Sequence, residues 1–118
     1  MDHKELEAWK NGIALVTAIY QITEGFPKGE LFGLTNQIRR CAVSIPSNIA
    51  EGAARNSDKD FIRFLYIALG SCAELETQLI ISRKIGILHA FPEIEQQLTN
   101  TRRPILGLIK YLQSKNKE

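Results

Sequence analysis

The sequence contains few of the residues from which catalytic and metal sites are built. Its two histidines, His3 and His89, do not follow a glutamate at the Glu-x-x-His spacing that a di-iron site in a helical bundle requires. No Cys/His cluster with zinc-binding spacing, glycine-rich phosphate loop or dinucleotide fingerprint occurs. Ser44, Ser57 and Ser71 have no histidine nearby in the sequence that could act as a base. We therefore predict a protein that is not an enzyme and that needs no metal or cofactor.

Long apolar runs are also lacking. Those at residues 79–81 and 85–88 are separated by Arg83 and Lys84, and each is far shorter than the roughly 20 residues that span a bilayer. The N-terminal residues mix acidic and basic side chains, unlike a secretory signal. We therefore expect no membrane partner and a cytoplasmic location, in which Cys41 and Cys72 remain free thiols and pack as small apolar residues.

The feature that dominates the sequence is a helical repeat of apolar residues. At 44% hydrophobic, a chain of 118 residues can bury one core, so we predict a single domain spanning residues 1–118. Apolar residues recur at spacings of three and four in four segments, at about 4–24, 30–51, 58–84 and 91–112. Four helices with short connections predict an all-α fold, an antiparallel up-down-up-down four-helix bundle.

Glycine, proline and capping residues divide these segments. Gly25 ends the first segment and Gly52 ends the second, in which Pro46 predicts a kink rather than a break. Ser57 opens a capping box that predicts the start of the third helix. Gly86, which follows two basic residues, predicts where that helix ends.

Several segments carry a second apolar stripe beside the first. A helix of an isolated small bundle needs only one wide apolar face, so the excess favours self-association. The alternative is that the second stripe only widens the core of one chain. The apolar residues that we predict at a subunit interface are Leu15, Ile19 and Ile22 on the first helix and Ile62, Leu69 and Ile80 on the third.

The net charge of +2 is too small to indicate a nucleic-acid-binding protein by itself. Basic residues are nevertheless grouped in ways that suit a phosphate backbone, and the candidates are Arg39, Arg40, Arg55, Lys59 and Arg63. The last three recur every four residues and form a ridge if the third helix extends slightly backwards. One alternative is a solvated face balanced by Asp58 and Asp60. Another is that Glu74 reaches Arg39 or Arg40 in the same or a neighbouring subunit.

Several stretches of the sequence closely resemble a known family. They are residues 26–30, 34–40, 44–52, 61–65, 67–71 and 74–78, which together extend over nearly the whole chain. The most specific motifs are Asn-Ile-Ala-Glu-Gly at 48–52 and Gly-Ser at 70–71. They are similar to those of the bacterial four-helix bundle family that includes proteins encoded by intervening sequences in 23S ribosomal RNA genes.

The resemblance implies a four-helix bundle, homopentameric barrels with a central channel, and no established enzymatic activity. A related branch is the accessory protein of diversity-generating retroelements, which implies RNA or DNA and a reverse transcriptase as partners. Within the motif, Asn48 and Glu51 either support a local kink at Pro46 or face a subunit boundary and fix assembly. Pro104 departs from what the last helix of such a bundle is expected to contain.

Two hypotheses follow. In the first, the chain forms a homo-oligomer, specifically a pentamer, that binds RNA or DNA through the five basic residues. In the second, it is a protein-protein interaction scaffold without nucleic-acid binding, and the same arginines form ion pairs between subunits. Salt dependence distinguishes the two, because binding to phosphates weakens steeply as salt rises.

Overall fold

A computed structural model of the chain describes residues 2–89 and 91–116. The predicted domain bounds of 1–118 also include residues 1, 90, 117 and 118, which lie outside the described residues. Across the described ranges every regular element is helical, which confirms the all-α prediction. The four long helices are α1 (Glu7–Thr23), α2 (Asn36–Ala53), α3 (Asp58–Lys84) and α4 (Pro92–Lys115).

Contacts between successive helices run in opposite chain directions. On α1 and α2, Gly12 lies against Pro46, whereas Thr23, further along α1, contacts Arg39 near the start of α2. The other two successive pairs follow the same rule, with contacts at Ser44–Ser71 and Gly52–Phe64 between α2 and α3, and at Glu76–Arg102 and Asp58–Asn116 between α3 and α4. The helices α1 and α4 also pack together and close the bundle.

Local chemistry fixes both ends of α3. The hydroxyl oxygen of Ser57 accepts a hydrogen bond from the backbone N–H of Asp60 at 3.1 Å, as predicted for an N-cap. At the other end Gly86 has a φ of 84°, which a residue with a side chain rarely adopts. The backbone N–H of Ile87 then donates to the carbonyl of Ser82 at 3.0 Å, the pattern of a Schellman C-cap.

The start of α2 differs from the prediction. The segment before it forms a short 3₁₀ turn at Lys28–Glu30 and a π turn at Leu31–Thr35, and regular α-helix begins at Asn36 instead of near residue 30. Gly33 has a ψ of −112°, which is not helical, so the α ladder cannot extend back through it. Once started, α2 runs through Pro46 without a break, and α4 runs through Pro104.

Gly52 lies inside α2 and does not end it, because the helix continues to Ala53. A Cβ atom at this position would lie 2.7 Å from the Cβ of Phe64 and 2.9 Å from the Cδ1 of Phe61. Such distances are too short for any side chain, so glycine is required here for the close approach of α2 to α3. The prediction that Gly52 ends the helix is therefore wrong, since α2 extends one residue further. The role of Gly52 is to allow close packing of the two helices.

The inward side of α3 forms the centre of the core. Phe61, Leu65, Ala68, Cys72, Leu75 and Leu79 are all buried there, as the spacing predicted. The same helix reaches a mean hydropathy of 1.3 over 18 residues and is, by length and composition alone, able to cross a membrane. The prediction that the chain has no transmembrane helix rested on the shortness of its unbroken apolar runs, and it stays a prediction. Burial of the inward side in the bundle accounts for much of this apolar composition.

Candidate functional site

On α1, the two apolar stripes are reversed relative to the prediction. Leu15 and Ile19 have no exposed surface, so they belong to the core of one chain and cannot contact a second chain. Ile22 is half-buried against the same core. Ile13 and Tyr20 belong to the stripe of α1 whose spacing predicted the core face, and each is 42% exposed. The two stripes are equally apolar, so sequence spacing could not tell which one faces inward.

Several exposed apolar residues lie on the side of α3 that points away from the core. Of the residues predicted there, Ile62 and Leu69 are half-buried at the edge facing α4, and Ile80 is exposed. The prediction missed Tyr66 and Ile81, which are 51% and 44% exposed. We call this surface the outward face of α3, and its residues are Tyr66, Gly70, Ala73, Ile80 and Ile81.

These residues recur at spacings of four, three, seven and one, so they share one side of a helix. Their spacing was visible in the sequence, but it overlaps the spacing of the buried seam. This side of α3 carries no charged residue between Arg63 and Lys84, although the exposed Thr77 lies within it, and Gly70 and Ala73 leave a shallow strip between the larger side chains. The helix is therefore apolar on both its inward and its outward side.

A polar groove of about 400 Å³ separates α2 from α3. The residues that line it, which include the best-matching motif positions, are Gln37, Arg40, Cys41, Ser44, Asn48, Ile67, Ser71, Glu74 and Gln78. The floor is held together by the hydroxyl of Ser44, which donates to the carbonyl of Cys41 at 2.6 Å and lies 2.8 Å from the hydroxyl of Ser71. We call this region the α2–α3 groove.

Asn48 stabilises the backbone at this point. Its Nδ2 donates to the carbonyl of Ser44 at 2.7 Å, two residues before Pro46. Glu51, from the same motif, forms an ion pair with Arg55 of its own chain at 3.2 Å. These contacts agree with a local role for the motif. An interface role for Asn48 and Glu51 stays a prediction.

Both cysteines are poor nucleophiles in this environment. Burial, together with the neighbouring Glu74 carboxylate, raises the pKa of the Cys41 thiol to about 12. Burial also raises the pKa of Cys72 to about 11. Because only the thiolate is reactive, both side chains act as small packing residues at neutral pH. The Cys41 thiol donates to the carbonyl of Ser71 at 3.2 Å.

Arg39, a predicted phosphate contact, is held inside its own chain. Its Nε donates to the hydroxyl oxygen of Thr23 at 2.8 Å, and its guanidinium lies 4.6 Å from the ring centre of Tyr20. A further contact joins its Nη2 to the carbonyl of Tyr20 at 3.4 Å. Arg39 therefore connects the end of α1 to the start of α2. Its positive charge also stabilises the C-terminus of α1, which carries a partial negative charge.

Arg55 and Arg63 meet at one aromatic ring. Their guanidinium groups lie 4.8 and 4.6 Å from the ring centre of Phe64. Each also has an acidic neighbour, since Arg55 pairs with Glu51 at 3.2 Å and Arg63 with Asp60 at 3.8 Å. Both charges are therefore balanced locally.

The five predicted basic residues do not form one surface. Because α3 begins at Asp58, Arg55 precedes the helix, and the ridge with Lys59 and Arg63 is not continuous. Arg40 and Ala53 are 13 residues apart on α2, which places Arg40 about 20 Å along the axis from the end of the helix near Arg55. Arg39, Arg40 and Lys59 form no ion pair among the described residues, and of these three Arg39 is held by Thr23 and Tyr20.

Residues 2–89 and 91–116 contain no group of three or more His, Cys, Asp or Glu side chains placed to hold a metal ion. The sequence model of one protein family, described as 23S rRNA-intervening sequence protein, matches residues 4–107. The chain therefore belongs to this family of small helical proteins, for which no catalytic role is known. No curated protein matches the sequence.

Proposed function

We propose that this member of the 23S rRNA-intervening sequence protein family works as a non-catalytic homo-oligomer, in which further copies cover the outward face of α3. The observation that carries the proposal is the apolar character of α3 on both sides. A helix at the surface of an isolated bundle is expected to be polar outside, whereas one that is apolar all round is expected to be buried. An assembly of several chains supplies that second burial.

The composition of the outward face supports contact with another helix. Gly70 and Ala73 allow a neighbouring backbone to approach closely, and the larger Tyr66 and Ile81 lie on either side of this strip. Burial of apolar surface contributes about 25 cal/mol per Å², so a face of this kind is worth several kcal/mol once covered. Five copies is the number that the family resemblance implies, and it forms part of the proposal.

The experiment is a mass measurement by light scattering or native mass spectrometry on the unmodified chain and on Ile81→Lys. We expect the unmodified chain to have about five times the 13.3 kDa mass of one chain. The variant should shift towards 13.3 kDa, because it places a charge in a buried contact. Since Ile81 is exposed in the single chain, its replacement should leave the thermal unfolding of the bundle almost unchanged.

The matched control is Tyr111→Lys, which introduces the same charge at an exposed apolar residue of α4 outside the outward face of α3. It should leave the mass unchanged. A single-chain mass for the unmodified protein at micromolar concentration would contradict the proposal. An equal loss of mass in both variants would show that added charge alone, and not its position, dissociates the assembly.

A second candidate function is RNA or DNA binding by the assembled protein. The observation that favours it is that Arg40 and Lys59 have no ion-pair partner among the described residues, so their charges are available to phosphates. Repetition of these charges in an oligomer strengthens a modest positive potential. A reverse transcriptase is the protein partner implied by the resemblance. The alternative is a scaffold that binds only proteins.

Binding of labelled RNA and DNA at several salt concentrations tests this candidate. Phosphate contacts predict an affinity that falls steeply with salt and that drops further in Lys59→Glu, whereas Lys110→Glu on α4 serves as a control of equal charge change. Affinity that is absent at low salt, or that is equal in the two variants, would favour the scaffold. The absorbance ratio at 260 and 280 nm of protein purified without nuclease provides an independent check.

A further inference from the structure

The charged residues of the α2–α3 groove are incompletely paired within one chain. The Glu74 carboxylate receives a long contact of 3.4 Å from the Nε2 of Gln78 and lies beside the Cys41 thiol, and it forms no ion pair among the described residues. The other end of the same amide is also unsatisfied. Gln78 is 8% exposed, and its Oε1 has no hydrogen-bond donor. A buried acceptor without a donor is costly, so the groove lacks a donor.

The missing partner has a defined chemistry. A carboxylate beside a free amide oxygen accepts hydrogen bonds and attracts positive charge, and a guanidinium supplies several N–H donors with a permanent charge. Small polar side chains on the floor, Ser44 and Ser71, leave room for a planar group, and Ile67 lines the groove beside them. The groove thus fits an arginine side chain that enters from outside the chain.

Two of the arginines in this chain are available to bind a groove on a second copy. Five of the seven are held within the chain by an ion pair or an aromatic ring, namely Arg39, Arg55, Arg63, Arg83 and Arg102. Arg40 and Arg103 have neither contact, and both are exposed.

Both available arginines lie at about the same position along the long axis of the bundle as Glu74. Arg40 lines the α2–α3 groove itself, and Arg103 follows Arg102, which pairs with Glu76 at 3.6 Å. When copies pack side by side with their long axes parallel, residues at the same position along the axis come close together. Neither arginine reaches Glu74 in its own chain, because no ion pair joins them within 4.0 Å.

We propose that the α2–α3 groove is a binding site for the guanidinium group of an arginine from a second copy of this chain, with Glu74 and Gln78 as the acceptors. The inference rests on the proposed self-association and identifies the polar contact that sets its register. The amide of Gln78 turns its Oε1 towards the incoming group, while the carboxylate of Glu74 pairs with the charge. Apolar burial at the outward face of α3 then supplies stability, and this pair supplies specificity.

Symmetry distinguishes the two donors. Arg40 lies on the same surface as Glu74, so a contact made by Arg40 is reciprocal between two copies and has two-fold symmetry. Arg103 lies on α4, on a different side of the bundle, so a contact made by Arg103 is head-to-tail and suits a closed ring. Either donor fulfils the inference.

Charge reversal provides the test. Glu74→Arg should raise the dissociation constant of the assembly by about tenfold or more, because it places two arginines against each other. A second reversal that recreates the pair in the opposite sense, either Arg40→Glu or Arg103→Glu in the Glu74→Arg background, should restore most of the affinity. The double variant that restores it identifies the donor. Glu95→Arg, an exposed residue near the start of α4, is the control of equal charge change.

The Gln78→Met variant tests whether the Gln78 amide contacts another copy or has only a local role within its own chain. If a donor from another copy pairs with the amide, this variant weakens the assembly. If none does, removing the unpaired oxygen leaves the assembly constant unchanged. That result, or an undiminished assembly in Glu74→Arg, or rescue by neither second reversal, would overturn the inference. A wild-type chain that remains single would instead refute the proposed function, so the two failures are distinguishable.

Discussion

The inward and outward sides of α3 are similar in composition and opposite in environment. Leu65, Cys72 and Leu79 on the inward side have no exposed surface, whereas Tyr66 and Ile81, each one or two residues further along the chain, are about half exposed. The inward side packs against α2 and α4 of the same chain. The difference shows that apolar content alone does not tell which side of a helix is buried within the chain.

The largest expected effect that tests this contrast is on stability and uses two leucines one turn apart. Leu65→Ala removes a fully buried side chain and should lower the free energy of unfolding by about 2–5 kcal/mol. Leu69→Ala, at a half-buried position facing α4, should cost clearly less in the single chain. Urea unfolding under dissociating conditions measures both. Equal losses would show that the inward side of α3 and its edge facing α4 are buried alike within one chain.

A second pair of variants compares two glycines that face in opposite directions. Gly52→Ala places a methyl group 2.7 Å from the Cβ of Phe64 and should destabilise the bundle by about 1–3 kcal/mol. Gly70→Ala meets nothing within 4 Å and should stabilise α3 by roughly 0.5–1 kcal/mol, because alanine is the better helix former.

The same Gly70→Ala samples also report on the outward face. If a neighbouring copy packs on this strip, the added methyl group should reduce the mass of the assembly while the single chain becomes more stable. Thermal unfolding and light scattering on one preparation give both values. A variant that is more stable and equally assembled would place the neighbouring helix elsewhere on the outward face.

A further expected effect concerns two buried thiols, Cys72 on the inward side of α3 and Cys41 on α2. Their pKa values of about 12 for Cys41 and about 11 for Cys72 exceed the ordinary value of 9.0, so the unfolded chain loses these protons first as the pH rises. Their contribution to stability is therefore complete below pH 9 and decreases above it, by about 1 kcal/mol per thiol at pH 10. Urea unfolding at pH 7 and pH 10 measures this loss.

Cys72→Ala provides the control for the pH experiment, because other groups also titrate in this range. Its stability should fall less between the two pH values than that of the unmodified chain, whatever its starting stability is. An identical pH dependence in both proteins would mean that water reaches the thiol of Cys72 in the folded state.

Much of the fold could be predicted from the sequence because its signals are local. The N-cap at Ser57, the C-cap at Gly86 and the spacing of the buried α3 residues each depend on neighbours within one or two turns. The start of α2 was placed too early, since the helical spacing of Leu31 and Leu34 continues through a segment in which Gly33 is not helical. Periodicity detects a repeat of apolar residues and does not detect a change of helix type.

The candidate site was less predictable, because its side chains pair both across helices, as Arg39 does with Tyr20, and within one turn, as Arg63 does with Asp60. Arg39, Arg55 and Arg63 were proposed to contact phosphates, and the structure pairs each of them with an aromatic ring or acidic group that the sequence places up to 19 residues away. No pattern along the chain shows that Arg40 lacks such a partner while Arg39, beside it, has one. Adjacent residues on a helix point about 100° apart, so they meet different neighbours.

The sequence by itself determined that this protein is a bundle of four helices, where most of those helices begin and end, and that several of them carry two apolar stripes. Only the tertiary structure decided which stripe of α1 faces the core, why Gly52 must be glycine, and which charges remain unpaired in the α2–α3 groove. The physical reason is that helix formation depends on contacts between residues three and four apart, whereas burial and charge pairing depend on contacts between helices. The outward face of α3, which the chain leaves uncovered, is where the next level of structure is expected to form.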